Sequence, residues 1–440
     1  MFVNLFLLNL LFGNSGHSDF HYLIMKKFIA AYLLLLIANL TSAQHDSIYD
    51  FKENIIARKT AAPEQKVVNV GEFKEAVRLR EAGHPDYRHH YASTELRQIH
   101  LCNAHHFITE HTKSYQVFMI NEGHSNPNTR AFTLSLLQDL YNQGYRYFGA
   151  EGIKFEDSLL NQRGFPVIET LTYAEPLYGE LLRQALEIGF KVFSYECEMD
   201  SFRNYDSLQY KIHQGRSIRT GAISRLVMDT VKNELLISTD TREKEQAENI
   251  YSILQKDPSA KIVVHAGYGH IYKQRGMMGG QFLNISHLQT YNVDQVRMED
   301  RVPPNNDSIY QFFEITEPVV LCDSANKPFV PTSWGTRDLD VHVIHPLTKY
   351  INGRPDWMSL NGKRKPVSLK EYLKDMALPV IVTCYYRKEF DKVGYEAIPA
   401  DAIQIDPGDE SKPLMLQAGP YWLRIRSKSG KVLTRNITVK

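Results

Sequence analysis

The chain has 440 residues, of which 43% are hydrophobic, 11% aromatic and 23% charged; this is globular composition and excludes disordered, collagenous and coiled-coil classes. Lys and Arg total 51 against 50 Asp and Glu, a formal charge of +1, so no field of one sign exists to hold nucleic acid or an acidic surface. Function has to come from local groups, in a length that accommodates two or three domains.

Met25-Lys26-Lys27 is a short basic start, Phe28 to Leu40 is a 13-residue apolar run, and Thr41-Ser42-Ala43 supplies small residues before Gln44. That is the three-part pattern of a secretory signal peptide, and the run is shorter than the about 20 residues that span a bilayer. The expected organisation is an upstream extension over 1–24 and a signal peptide over 25–43. The product is then exported, periplasmic or extracellular, and keeps no stable membrane anchor after cleavage. Export allows Cys102, Cys197, Cys322 and Cys384 to pair in any of three ways or to stay as buried thiols.

Residues 44–109 read as a polar helical lead-in with no strand before Lys113. Tyr115 to Ile120 is a β-rich run, followed by a helix over 129–143 that enters through Asn126-Pro127-Asn128 and stops at Gly144. Tyr145 to Ala150 is a second strand. A helix over 177–188, closed by Gly189, leads to a third strand from Phe190 to Tyr195. A helix over 241–256, capped by Asp240, leads to a fourth, Lys261 to Ala266. Strand alternating with helix predicts an α/β domain over 110–302, a mainly parallel sheet flanked by helices.

Asn121-Glu122-Gly123-His124, Glu151-Gly152, Glu196-Cys197-Glu198 and Gly267-Tyr268-Gly269-His270 follow the four strands. Polar residues follow strands in any exposed loop, but parallel strands bring these four groups to one edge, where open α/β sheets form their ligand crevice.

This order of elements resembles the first half of the erythromycin-esterase-like superfamily, which begins with a strand ending in a Gly-Glu-x-His or Gly-Glu-x-x-His element. Thr241-Arg242-Glu243 to Asn249 is similar to the Arg-Asp/Glu-x-x-Met-Ala-x-Asn helix of the esterases, and Gly267-Tyr-Gly-His270 to the Gly-Ala-Gly-His of Tiki-like metalloproteases. Haem-uptake proteins share that fold. Asn121 stands where the family has Gly, Glu122 is two residues before His124 where the esterases mostly have three, Gly267 replaces a His and His265 replaces a Trp. The resemblance implies a hydrolase acting on a small-molecule or peptide substrate; its alternative implication is a non-catalytic haem or small-ligand binder.

Chemically, His124 with Glu122 or Glu151 suits a general base, and His270 suits a polariser or acid. Arg130 and Arg242 stay charged and suit an oxyanion or a substrate carboxylate. His124, Glu151 and His270 could instead hold a divalent metal, since two imidazoles and a carboxylate leave a position for water. On the 241–256 helix, Glu243 shares the apolar stripe of Ala247, Ile250 and Leu254 while Arg242 lies opposite, so one of the two is expected to face the crevice.

Seven of the 17 histidines fall between His84 and His111, without repeating ligand spacing, and read as polar helical surface. Asp338, Asp340 and His342 alternate with apolar residues and read as the solvated face of a strand. Tyr421-Trp422 reads as core. Pro303-Pro304-Asn305-Asn306 marks a boundary, after which 310–440 reads as a β-rich, sandwich-like module, with 310–375 alternatively packing back on the α/β domain.

Overall fold

The computed structural model describes residues 63–83, 93–154, 157–172, 174–196, 242–298, 308–330 and 339–440. The segments expected over 1–43, His84, His89, His90, Cys197, Glu198, Asp240, the 303–306 boundary and Asp338 lie outside them. Among the described residues no helix is long and apolar enough to cross a membrane.

Two helices, α1 (Pro63–Asn69) and α2 (Phe73–Gly83), lead to β1 (His100–Asn103) and α3 (Ala104–His111). Then follow β2 (Val117–Glu122), α4 (Pro127–Asn142), β3 (Tyr147–Ala150), α5 (Pro176–Ile188), β4 (Lys191–Phe193) and α6 (242–256). The series continues with β5 (Ile262–Gly267), α7 (Met278–Ser286), β6 (Thr290–Met298), β7 (Val319–Cys322) and β8 (Val341–Ile344). All eight strands form one sheet in the order β1-β7-β8-β6-β2-β5-β3-β4. Every pair is parallel except those of β7 with β1 and β8. The expected mainly parallel, helix-flanked sheet is therefore the fold. It is wider than 110–302: β1 is a strand where the lead-in was read as helical, and β7 and β8 return from beyond the boundary.

The central strands β2 and β5 are buried along their whole length, as a sheet covered on both faces requires. Period two divides their side chains. Phe118, Ile120 and Val263 pack with Leu136, Leu140, Leu177 and Leu181 of α4 and α5, while Val117, Met119, Ile262 and Val264 pack with Ile250, Leu254, Met278 and Phe282 of α6 and α7. Burial of one such side chain stabilises by about 1.5–3 kcal/mol. Helix α4 begins with Pro127 at its first turn, where the missing N–H costs nothing, and Gly144 at φ +93° ends it.

The C-terminal region forms β9 (Lys365–Val367), β10 (Val380–Tyr386), α8 (Arg387–Val393), β11 (Asp401–Ile405), β12 (Leu414–Leu416), β13 (Gly419–Ser427) and β14 (Val432–Val439). A four-stranded antiparallel sheet, β11-β10-β13-β14, lies beside the β9–β12 pair. Tyr421 is in its core, and Trp422 stacks on Phe390 with ring centroids 4.9 Å apart. Cys102 and Cys322 form a disulfide between the edge strand β1 and its neighbour β7, and Cys384 is a buried thiol.

The module is fastened to α5 by buried charge. Arg183 Nε and Nη2 donate to Glu389 at 2.9 Å, and Arg364 lies 3.1 Å from Glu180. Glu389→Gln leaves the Arg183 charge underground with half a partner, and removing one member of a buried pair costs about 3–5 kcal/mol. Urea unfolding should show that loss, and the apolar double variant Arg183→Met/Glu389→Leu should recover most of it; an unchanged midpoint in Glu389→Gln would remove the fastening role.

Candidate active site

The two halves of the site are each organised around an arginine. Arg130, on the first turns of α4, is wholly buried. Its Nε donates to Glu122 Oε2 at 2.6 Å, its Nη2 to Glu122 Oε1 at 2.9 Å and to the His124 carbonyl at 3.1 Å, and its Nη1 to Glu175 Oε2 at 2.9 Å. Glu175 also caps α5, accepting from the Leu177 and Tyr178 amides, and burial raises its pKa. Glu122 closes β2 and lies 2.9 Å from His124 Nδ1. Burial pushes the Glu122 pKa up, but Arg130, His265 and the hydrogen bonds from Arg130 and His124 hold it well below the usual carboxylate range.

His265, on the same face of the sheet on the adjacent strand β5, has its Nε2 3.6 Å from Glu122 Oε2. Burial drives its pKa down to about 4, so at neutral pH it is an uncharged ring packed near Phe148.

Arg242 organises the other half. It donates from Nε and Nη2 to the two Glu196 oxygens at 2.9 and 2.8 Å, and from Nη2 to Glu151 Oε1 at 2.8 Å. Its Nη1 lies 3.2 Å from His270 Nε2. The Glu151 carboxylate, beyond β3, also accepts from the Gly267 amide. Burial opposes its ionisation, yet His270, His124 and Arg242 bring its pKa down to about 2. His270 Nδ1 sits 2.5 Å from Glu243 Oε1, and Glu243 Oε2 accepts from the Met278 amide at the start of α7. Burial lowers the His270 pKa, but Glu151 and Glu243 outweigh it and the result is raised above the ordinary value.

The halves meet at Gly267. A methyl group there would lie 2.2 Å from His124 Cε1, 2.6 Å from His124 Nε2 and 3.0 Å from Glu151 Oε2, so the absence of a side chain is what lets imidazole and carboxylate share this space. The next residue, Tyr268, has φ +46°, a conformation rare for a bulky residue. Its amide donates to the Glu122 carbonyl and its carbonyl accepts from Asn121 Nδ2 at 2.7 Å. Its ring, 44% exposed, stands edge-on to His124 with centroids 4.8 Å apart.

Glu122, His124, Arg130, Glu151, Arg242 and His270 thus converge, although Arg130 is a buried positioning group and does not reach a substrate. Neither arginine offers a bare cation to a substrate carboxylate, because both are surrounded by glutamates. The expectation that one of Arg242 and Glu243 faces the crevice fails for a geometric reason: α6 points its N-terminal end at the site, so both faces of its first turn reach His270.

Glu175, Glu196 and Glu243 complete the set. Glu175 carried a usable signal, an acid directly before Pro176 at a helix start; Glu196 ends the β4 segment as expected of strand-end acids. His342 is not on a solvated face either: it is buried, with Nδ1 2.9 Å from Asp294, and Asp340 binds Lys273 at 2.6 Å and the Asn292 amide at 2.7 Å.

The donors His124, Glu151 and His270 do not fit a divalent metal as they stand. Both Glu151 oxygens are occupied by N–H donors, and the cation beside His270 is Arg242 itself, which an ion would have to displace. Among the described residues, His100, Cys102 and Cys322 are the group of three donor atoms within 4.8 Å of one another, and two of these are joined in the disulfide.

Gly267→Ala tests the seam. The added methyl should push His124 out of its position against Glu151 while the covered sheet still folds; a His124 ring resonance unchanged from the parent's would show that the close approach is unnecessary.

No family model and no curated protein matches this chain. Two solved structures do: the type III effector HopBA1, at a TM-score of 0.31 and 9% identity over 57% of this chain and 96% of that one, and ChaN of Campylobacter jejuni, which binds haem cofacially, at a TM-score of 0.33 and 8% identity over 56% of this chain and 96% of that one. Neither the esterases nor the Tiki-like proteases are among these two, and likeness this distant carries no argument about activity.

Proposed function

We propose that this chain is an exported hydrolase that activates water with a carboxylate-held histidine and cleaves an ester, lactone or amide. The observation that carries the reading is a pair of histidines, each held at Nδ1 by a buried carboxylate. Glu122 lies 2.9 Å from His124 and Glu243 lies 2.5 Å from His270, so both Nε2 atoms turn to the space around Glu151. A base oriented at its far nitrogen keeps one tautomer and one direction.

In this mechanism His124 Nε2 takes a proton from water as the oxygen attacks the substrate carbonyl, and Glu122 steadies the imidazolium. His270, whose pKa is raised by Glu151 and Glu243, donates from Nε2 to the departing oxygen or nitrogen as the tetrahedral adduct collapses; His124 then returns its proton to solvent and His270 takes one back. The products are a carboxylic acid and an alcohol or amine. Glu151 Oε1, 3.5 Å from His270 Nε2, accepts from the acid form, and the Arg242 Nη1 donor 3.2 Å away has Nε2 as its acceptor once that proton has left. The Cys102–Cys322 disulfide supports the exported part of the reading, since such bonds persist in oxidising compartments.

A second reading, haem binding, is favoured by one feature, the exposed Tyr268 phenol beside His124, since both residue types can ligate iron. The glutamates and Arg242 around them suit a porphyrin poorly. Titration of the purified protein with haem, followed at the Soret band, separates the readings.

On a panel of nitrophenyl esters, lactones and dipeptides, His124→Ala should lower kcat by about 10²–10⁴-fold and Glu151→Gln should abolish turnover, both with an unchanged circular dichroism spectrum. Turnover equal to the parent's in both would sink the hydrolase.

Glu243→Gln makes a separate prediction. Removing that carboxylate lowers the His270 pKa, so the acid form is lost earlier as pH rises, and the alkaline limb of kcat/KM should move to lower pH. A limb that stays in place would mean that His270 is not the acid.

A further inference from the structure

A second concavity lies away from the paired histidines, on the side of α4 that faces α3 and the C-terminal region. Its volume is about 640 Å³, within the range of small-molecule sites. Three asparagines, two serines and a threonine line it, together with Trp357 and Phe132. Its formal charges are mixed and partly spent inside the protein. Glu317 accepts from Asn103 at 2.7 Å, Asp356 accepts from the Trp357 amide, and Lys363 offsets one of the two acids in formal charge. The small acidic excess disfavours an anion, and the lining is too rich in amides and hydroxyls for a lipid.

The wall is also held in an unusual shape. Leu360, Asn361 and Gly362 all have positive φ, +47°, +57° and +83°. For leucine that conformation is unfavourable and persists only where its surroundings impose it. Leu360 is buried in the main core, and the Arg364 amide binds the Ser359 carbonyl at 2.9 Å. The turn is pinned from below, which leaves Asn361 exposed at the rim. Asn103 is spent on Glu317 and the His106 amide, but an indole with the amides of Asn128 and Asn361 in the same lining matches a ligand that has apolar ring faces and many hydroxyls: ring faces stack on aromatics, and an asparagine amide both donates and accepts.

We propose that this cleft is a binding site for a neutral oligosaccharide. The site is independent of the hydrolytic reading, although the two share a wall: Asn128, which lines the cleft, is four residues past His124. A saccharide seated in the cleft therefore lies against the helix turn that follows the proposed base.

Calorimetric titration of the full-length protein with maltotriose, cellotriose, N,N′,N″-triacetylchitotriose and trigalacturonic acid tests this. Saturable binding of at least one neutral trisaccharide is expected, with the uronate trimer weaker. Asn361→Ala, at an exposed rim position, should weaken that binding about two- to tenfold, the range for one hydrogen bond, and Trp357→Ala should weaken it further. Trp357 also packs edge-on to Phe73, so if its variant fails to fold, Asn361→Ala decides. Absence of binding by all three neutral sugars at millimolar concentration, preference for the uronate, or an Asn361→Ala affinity equal to the parent's would each overturn the proposal.

Discussion

A guanidinium taken wholly out of water must be surrounded by acceptors, and the construction of this edge of the sheet follows from where Arg130 finds them. Isolated burial of such a charge costs several kcal/mol even after relaxation. Two carboxylates and a carbonyl are drawn around it, one carboxylate at the end of β2 and the other at the cap of α5. Each acceptor does a second task. Glu122 aligns His124, Glu175 satisfies two amides at the start of α5, and the bound carbonyl belongs to His124 itself. The ring, its partner and the helix beside it are thereby located by a single buried cation.

Arg242 repeats the logic across the seam with more solvent and more freedom. It gathers Glu196 and Glu151 and comes within 3.2 Å of His270, so the second histidine is positioned as the first is, by a carboxylate on Nδ1 and an arginine nearby. The environments then push the nearby rings apart: His265, where burial outweighs the Glu122 carboxylate 3.6 Å away, falls to about 4, while His270 between two glutamates rises.

Much of this was legible in the chain because parallel strands turn distant positions into neighbours. The strand-end residues Glu122, His124, Glu151 and His270 needed only the alternation of strand and helix and the rule that ligands sit beyond carboxyl ends. What was illegible depends on geometry that periodicity does not encode. Face assignment on α6 treats a helix as viewed from the side, whereas the site meets its end, and Arg242 and Glu243 both arrive there. His265 sits inside a continuous apolar run, where nothing in the spacing says that a histidine rather than a valine faces Glu122. The strands β1, β7 and β8 are four residues each, too short for alternation to register, and β1 joins the sheet through a pairing with β7 more than 200 residues away in sequence.

The C-terminal module acquires a role from the same bookkeeping of buried charge. It grips α5 at Arg183 through Glu389 and at Glu180 through Arg364, Tyr386 and Gln417. These contacts lie one and two turns along the helix from Glu175. A helix can shift as a rigid rod only if its whole length is released, so fixing its middle fixes its cap, and the cap is the acceptor of Arg130. Through one helix, a β-rich region with no side chain among the paired histidines sets the position of Glu175, and by way of Arg130 and Glu122 the direction of the His124 ring.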